Sequence, residues 1–245
     1  MNGLQRGLLF TARLLVLLPV LQVMGCTQPG GEGQEQATVT LLTYQEQEAG
    51  VEPYPLRVFV NDQFLRFDDG YDTSDFMLME RSTQTVYSVS HENQSILVIA
   101  DYPAVAAAPE DLVLTEERDV DTAAPEIAGR QPVYIRFLAG GMVCYHAVVA
   151  PDLLEQASAA LAEYATALAN RQFSDMASVP EGMQTPCFLS RYVYTPARHL
   201  RYGLPVSEWD DSGYRRVLLD YREGATVAAG LFALPVEYER FRPGG

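Results

Sequence analysis

The chain has 245 residues, 48% of them hydrophobic, with 32 acidic against 17 basic side chains and a formal charge of −15. Its length supplies one good core or two small ones, and its acidity excludes nucleic acid and anionic lipid surfaces as favoured partners, because both demand basic patches. Every basic residue is arginine, which excludes Schiff-base lysine chemistry and reflects either genome base composition or adaptation to a salty environment.

The first 25 residues read as a secretion signal. Arg6 and Arg13 make a positive start with no acidic residue, and the apolar run Leu14–Met24, broken by Pro19 and Gln22, is 11 residues long. A spanning helix needs roughly 20 apolar residues, whereas a signal core needs roughly 7 to 15. Val23-Met24-Gly25-Cys26 resembles a bacterial lipobox. The resemblance implies a lipoprotein cut before Cys26 and acylated on its sulfur and new amino group. Because Thr27 rather than aspartate follows, it also implies the periplasmic face of the outer membrane. Two or more acyl chains make a stable anchor. The alternative is an ordinary signal peptide with a chance cysteine, which leaves the protein secreted or periplasmic. Residues 26–36, rich in Gly, Gln and Glu, hold too little apolar surface to fold and read as a flexible tether. Residues 37–245 are expected to form a single α+β domain.

From ATVTLLTY (37–44) to SILVIAD (95–101), short β-branched and aromatic runs alternate with Asn/Asp/Gly/Ser turns, the pattern of an antiparallel meander. YPLRVFV (54–60), QFLRFD (63–68), DFMLMER (75–81) and QTVYSVS (84–90) are the runs between them. FMLM and ILVI are apolar at both alternating positions, so both faces of the sheet should be covered there. The Ala/Pro/acidic stretch 103–130 reads as a long surface connection with one strand at DLVLT (111–115). PVYIRFLA (132–139), Gly140-Gly141 and MVCYHAVVA (142–150) predict a hairpin.

The clearest helix is predicted at 152–172, where Leu153, Leu154, Ala157, Leu161, Tyr164, Ala165 and Leu168 share a face and Asp152 with Glu155 forms a capping box. A helical piece follows at PCFLSRYVY (186–194), then a turn at ARHLRYG (197–203) ending at Gly203. Strands at VSEWDD (206–211), GYRRVLLDYRE (213–223) and LFALP (231–235), the last extended by YERF (238–241), complete the chain.

The unit DFMLMERSTQTVYSVSHENQSILVI (75–99) and the ending LFALPVEYERF (231–241) resemble the half-barrel of LolA/LolB-like envelope lipoprotein carriers and related lipoproteins of unknown function. That resemblance implies a curved, half-barrel-like antiparallel meander with helices packed on one face, over a hollow that in some relatives holds acyl chains. No carrier motif matches residue by residue, so no binding residues are transferred. The interior insert with its cysteine pair departs from the carriers.

Chemical motifs are sparse. Asp68, Asp72 and Asp75 are the metal candidates, but their spacing is irregular and no glutamate closes a calcium loop. A solvated hairpin turn is expected instead, and no metal or cofactor is implied. His91, His146 and His199 do not cluster, and the chain contains no H-E-x-x-H, C-x-x-C or G-x-S-x-G. Trp209 reads as core or packing edge before binding platform. Residues 27–130 hold 20 acids and 5 arginines, residues 191–242 hold 7 and 8. Arg191, Arg198, Arg201, Arg215 and Arg216 are therefore expected to pair internally with the acidic half, an anion site being the other reading. With Cys26 acylated, Cys144 and Cys187 are left as an even pair, which predicts a disulfide in an oxidising compartment. A reactive thiol beside His146 or His199 is the competing idea.

No catalytic group is singled out. The expectation is a non-enzymatic envelope lipoprotein whose partners are the membrane, through its anchor, and either an acyl-chain ligand or an envelope protein. A structural lipoprotein without a ligand cavity stands second, an enzyme of unrecognised type third.

Overall fold

Alternating β-branched and aromatic residues put all twelve strands of the described residues into one sheet. The computed structural model describes residues 35–71 and 73–243. The strands β1 (Gln36–Gln47), β2 (Tyr54–Val60), β3 (Phe64–Asp68), β4 (Phe76–Glu80), β5 (Thr85–Ser90) and β6 (Ser95–Ile99) form one antiparallel meander. A second meander consists of β7 (Leu114–Asp119), β8 (Val133–Ala139), β9 (Met142–Ala150), β10 (Leu204–Trp209) and β11 (Arg215–Ala228). β1 pairs with β11 from Gln36 opposite Ala228 to Gln47 opposite Arg215, which joins the meanders into a single open sheet. β12 (Glu239–Phe241) adds a parallel edge beside β6. The architecture is thus α+β, with an unclosed mixed sheet.

The helix α1 (Glu155–Ser174) lies on one face. Its Ala157, Ala160, Leu161 and Ala167 join Leu42, Val58, Leu65, Met79 and Val86 in the larger core. On the opposite face Phe76, Leu78, Val89 and Ile96 pack under the chain's closing segment through Phe232. β4 therefore sends Met79 one way and Leu78 the other. Both faces of the middle strands are covered, as their two-sided apolar pattern requires.

Three local expectations are corrected. Asp152 does not cap α1: it sits at φ 56, and Leu154, left-handed at φ 50, precedes the first helical turn without a side-chain cap. Leu153, 3% exposed, explains the difference, because burying it as the chain leaves β9 outweighs a capping hydrogen bond. The stretch 231–235 is not a strand. Ala229–Phe232 forms a 3-10 turn that stacks Phe232 on Phe64 at 5.3 Å, and the edge strand comes only at Glu239–Phe241. Finally, β11 runs past Glu223 to Ala228, because Gly224 at φ 65 lies where the pairing with β1 shifts register, a bulge rather than a stop.

Between β9 and β10 the chain makes α1, then α2 (Pro186–Phe188), which continues as a π-helix over Leu189–Tyr194. Cys187 lies at disulfide distance from Cys144 on β9, with Cα atoms 5.1 Å apart. The pair ties this helical segment to the sheet. Gly203, at φ 133, turns the chain into β10 so close to the Ala150 carbonyl that a Cβ would collide with it. The secretion signal, the lipobox with Cys26, and Asp72 lie outside the described residues.

Candidate functional site

Sheet register builds the centre of the site. Arg216 on β11 stands directly opposite Glu208 on β10 and Glu46 on β1, so one guanidinium sits between two carboxylates on adjacent strands. Its Nε donates to Glu46 at 2.7 Å and its Nη1 lies 3.6 Å from Glu208. Glu208 is 3% exposed and receives two further donors, the Tyr145 hydroxyl from β9 and His199 Nε2 at 3.0 Å. Burial alone would raise its pKa, but the His199 hydrogen bond and the attraction of His199 and Arg216 outweigh it and hold the carboxyl at about 2. Burial opposes the charge of Arg216, and the surrounding tyrosines with Glu208 and Glu46 more than restore it. Burial, then the charge of Glu208, lifts the Tyr145 hydroxyl well above its usual range. The result is a neutralised, fixed polar floor.

Above this floor, between the sheet and α1, is a hollow of about 460 Å³. Phe67, Leu161, Tyr164 and Leu168 form its apolar side, with Phe67 and Tyr164 rings 4.7 Å apart. Arg171, Arg191, Arg198 and Arg216 form its cationic side. Arg191, from the π-helix, pairs with Asp210 and lays its guanidinium on the Tyr145 ring at 4.3 Å and the Tyr214 ring at 4.8 Å. Arg198 lies over Phe137 at 5.2 Å and reaches Glu116 at 3.3 Å. Such cation–π contacts fix a long side chain that would otherwise be mobile. Burial tends to raise the Glu116 pKa, but hydrogen bonds from Tyr202 and Arg118 and the charge of Arg201 bring it to about 2.

The expected internal pairing of the arginines is met for Arg198, Arg201 and Arg216, whose partners Glu116 and Glu46 lie in the acidic half. Arg191 instead takes Asp210 from its own half. Asp68 is not in a solvated turn. It is 3% exposed and binds Arg57 at 2.7 Å and Arg66 at 2.9 Å, because Phe67 and Asp68 close β3 inside the sheet. Asp75 accepts from the His91 backbone, and no metal-sized acidic or histidine group occurs among the described residues. His91 hydrogen-bonds Tyr238 at 2.8 Å. His146 lies on the outer face, its ring parallel to Trp209 at 5.0 Å and its Nδ1 2.8 Å from the Tyr134 hydroxyl. Burial lowers its pKa, and Trp209 is a packing edge here.

Of the three histidines only His199 enters the cavity. Glu208 escaped notice in the sequence as one of several acids in SEWDD, although its place two residues after Val206, on the inward side of a strand, marked a carboxylate that had to find partners. No family model matches the chain, and no curated protein does. Among solved structures it is similar to an uncharacterized conserved protein from Thermus thermophilus, at 9% identity over 84% of this chain and 90% of that one, with a TM-score of 0.43. It is also similar to PNGF-II in two crystal forms, at 10% and 8% identity and TM-scores of 0.36 and 0.37, covering 84% of this chain but 31% of theirs.

Proposed function

We propose that this protein is a non-enzymatic binding module that holds a small amphipathic ligand between α1 and the sheet. The hollow of about 460 Å³ carries the reading, since it falls within the roughly 300–1,000 Å³ range of small-molecule sites and combines an apolar wall with a few fixed polar groups. A purely structural lipoprotein would fill this space with side chains. The neutralised Glu208–His199–Tyr145 floor favours binding over catalysis, because every group is committed to a neighbour. We further propose the address implied by Val23–Cys26: an outer-membrane lipoprotein anchored at Cys26 and related in build to the half-barrel carriers, with the membrane and its own ligand as partners.

Two experiments test these points. Titration with a dansyl-labelled fatty acid should saturate in the wild type and weaken by about tenfold or more in Ala165→Trp, which fills the hollow from α1. Absence of saturable binding to the wild type would instead favour the structural reading. Cys26→Ser should move the protein from the membrane to the soluble fraction, and continued membrane association would refute the anchor.

A further inference from the structure

We infer that the ligand carries an anionic oxygen head, a carboxylate or a phosphate, on an apolar chain, and that the head is read by Arg171, Arg191 and Arg198; this rests on the binding reading above. Along α1 the cavity wall passes from Leu161, Ala165 and Leu168 to Arg171, Gln172 and Asp175, beyond which Arg191 and Arg198 also line it. One end is therefore apolar and the other cationic.

At the cationic end the donors outnumber the acceptors. A guanidinium offers five N–H donors in a planar fork. Arg191 gives one hydrogen bond, to Asp210, and Arg198 gives one each to Glu116 and the Leu138 carbonyl. Arg171 faces Asp175, its Nε 3.4 Å from the carboxylate.

Charge points the same way. Glu116 is shared by Arg118, Arg198 and Arg201, and across the ion pairs around the cavity six arginines meet five carboxylates. In a chain of formal charge −15 this end holds a local positive excess. The C-terminal dipole of α1 opposes an anion here, and Arg171 in its last turn offsets that.

Calorimetric titration of the wild-type protein with dodecanoate, dodecyl phosphate, dodecanol, dodecyltrimethylammonium and inorganic phosphate separates the alternatives. One of the two anionic amphiphiles should bind about tenfold or more tighter than dodecanol, as expected for a charge-assisted hydrogen bond. Preference for dodecanoate identifies a fatty-acid-like head and preference for dodecyl phosphate a phospholipid-like one. Arg171→Gln should reduce the affinity for the preferred anion by a larger factor than that for dodecanol; an equal reduction of both would count against a head-reading role. Equal binding of dodecanol and both anions, or tighter binding of the ammonium, overturns the inference while sparing the cavity. Inorganic phosphate binding as tightly as dodecyl phosphate also overturns it, since the chain would then contribute nothing. Failure of all five to bind removes the cavity reading and this inference together.

Discussion

Glu208 is 3% exposed and answers to three groups, Arg216, His199 and Tyr145. Held at about 2 against an ordinary 4.5, it shares that depression with Glu116. A carboxyl with a lowered folded value stabilises the fold fully above its unfolded value and loses that contribution as pH falls towards the folded one. Resistance to denaturant should therefore hold above pH 4.5 and decline between 4.5 and 2. Glu208→Gln should cost about 3–5 kcal/mol at neutral pH, because Arg216 and His199 lose a buried partner, and should make the acid decline shallower. Chemical denaturation at several pH values checks both, and an unchanged acid slope in the variant would show that Glu208 does not carry the effect. The network was hidden in the sequence: Tyr145 and Glu208 lie 63 residues apart, and only strand register brings them together.

At the scale of elements, the strands were legible wherever alternation was strong. β4, β5 and β6 fall within a residue or two of their apolar runs, and the Gly140-Gly141 turn takes positive φ at both residues, 58 and 80, as a two-residue hairpin requires. Where a long-range contact decided the local form, the pattern misled. Leu153 overrode the Asp152 cap, and Phe232 drew an apparent strand into a turn. The start of β7 at Leu114 rather than at residue 111 follows from its pairing with Ala139 at the far end of β8. The apolar stripe of α1 divides, Ala157 and Leu161 being buried while Tyr164, Ala165 and Leu168 line the hollow. Leu161→Ala should cost about 2–5 kcal/mol, nearer the lower figure because one side already faces the cavity, and lower the melting temperature by about 4 °C or more. An unchanged melting temperature with altered ligand affinity would mark α1 as a mobile lid.

For the molecule as a whole, an open sheet covered on both faces at its middle strands still leaves a substantial void, walled by α1, the π-helix and strands of both meanders. The composition led to an expectation of internally paired arginines, met for Arg198, Arg201 and Arg216 but not for the exposed Arg215 among the described residues. It did not show that Arg191, Arg198 and Arg216 would gather around one hollow, since that depends on β1 meeting β11 and on the π-helix turning Arg191 back over Tyr145. Native mass spectrometry of the protein purified from its own host without detergent exchange tests the proposed occupancy of this hollow. A mass excess of one small ligand per chain, lost in Ala165→Trp, is expected; the bare chain mass in wild type and variant alike would show the hollow to be empty.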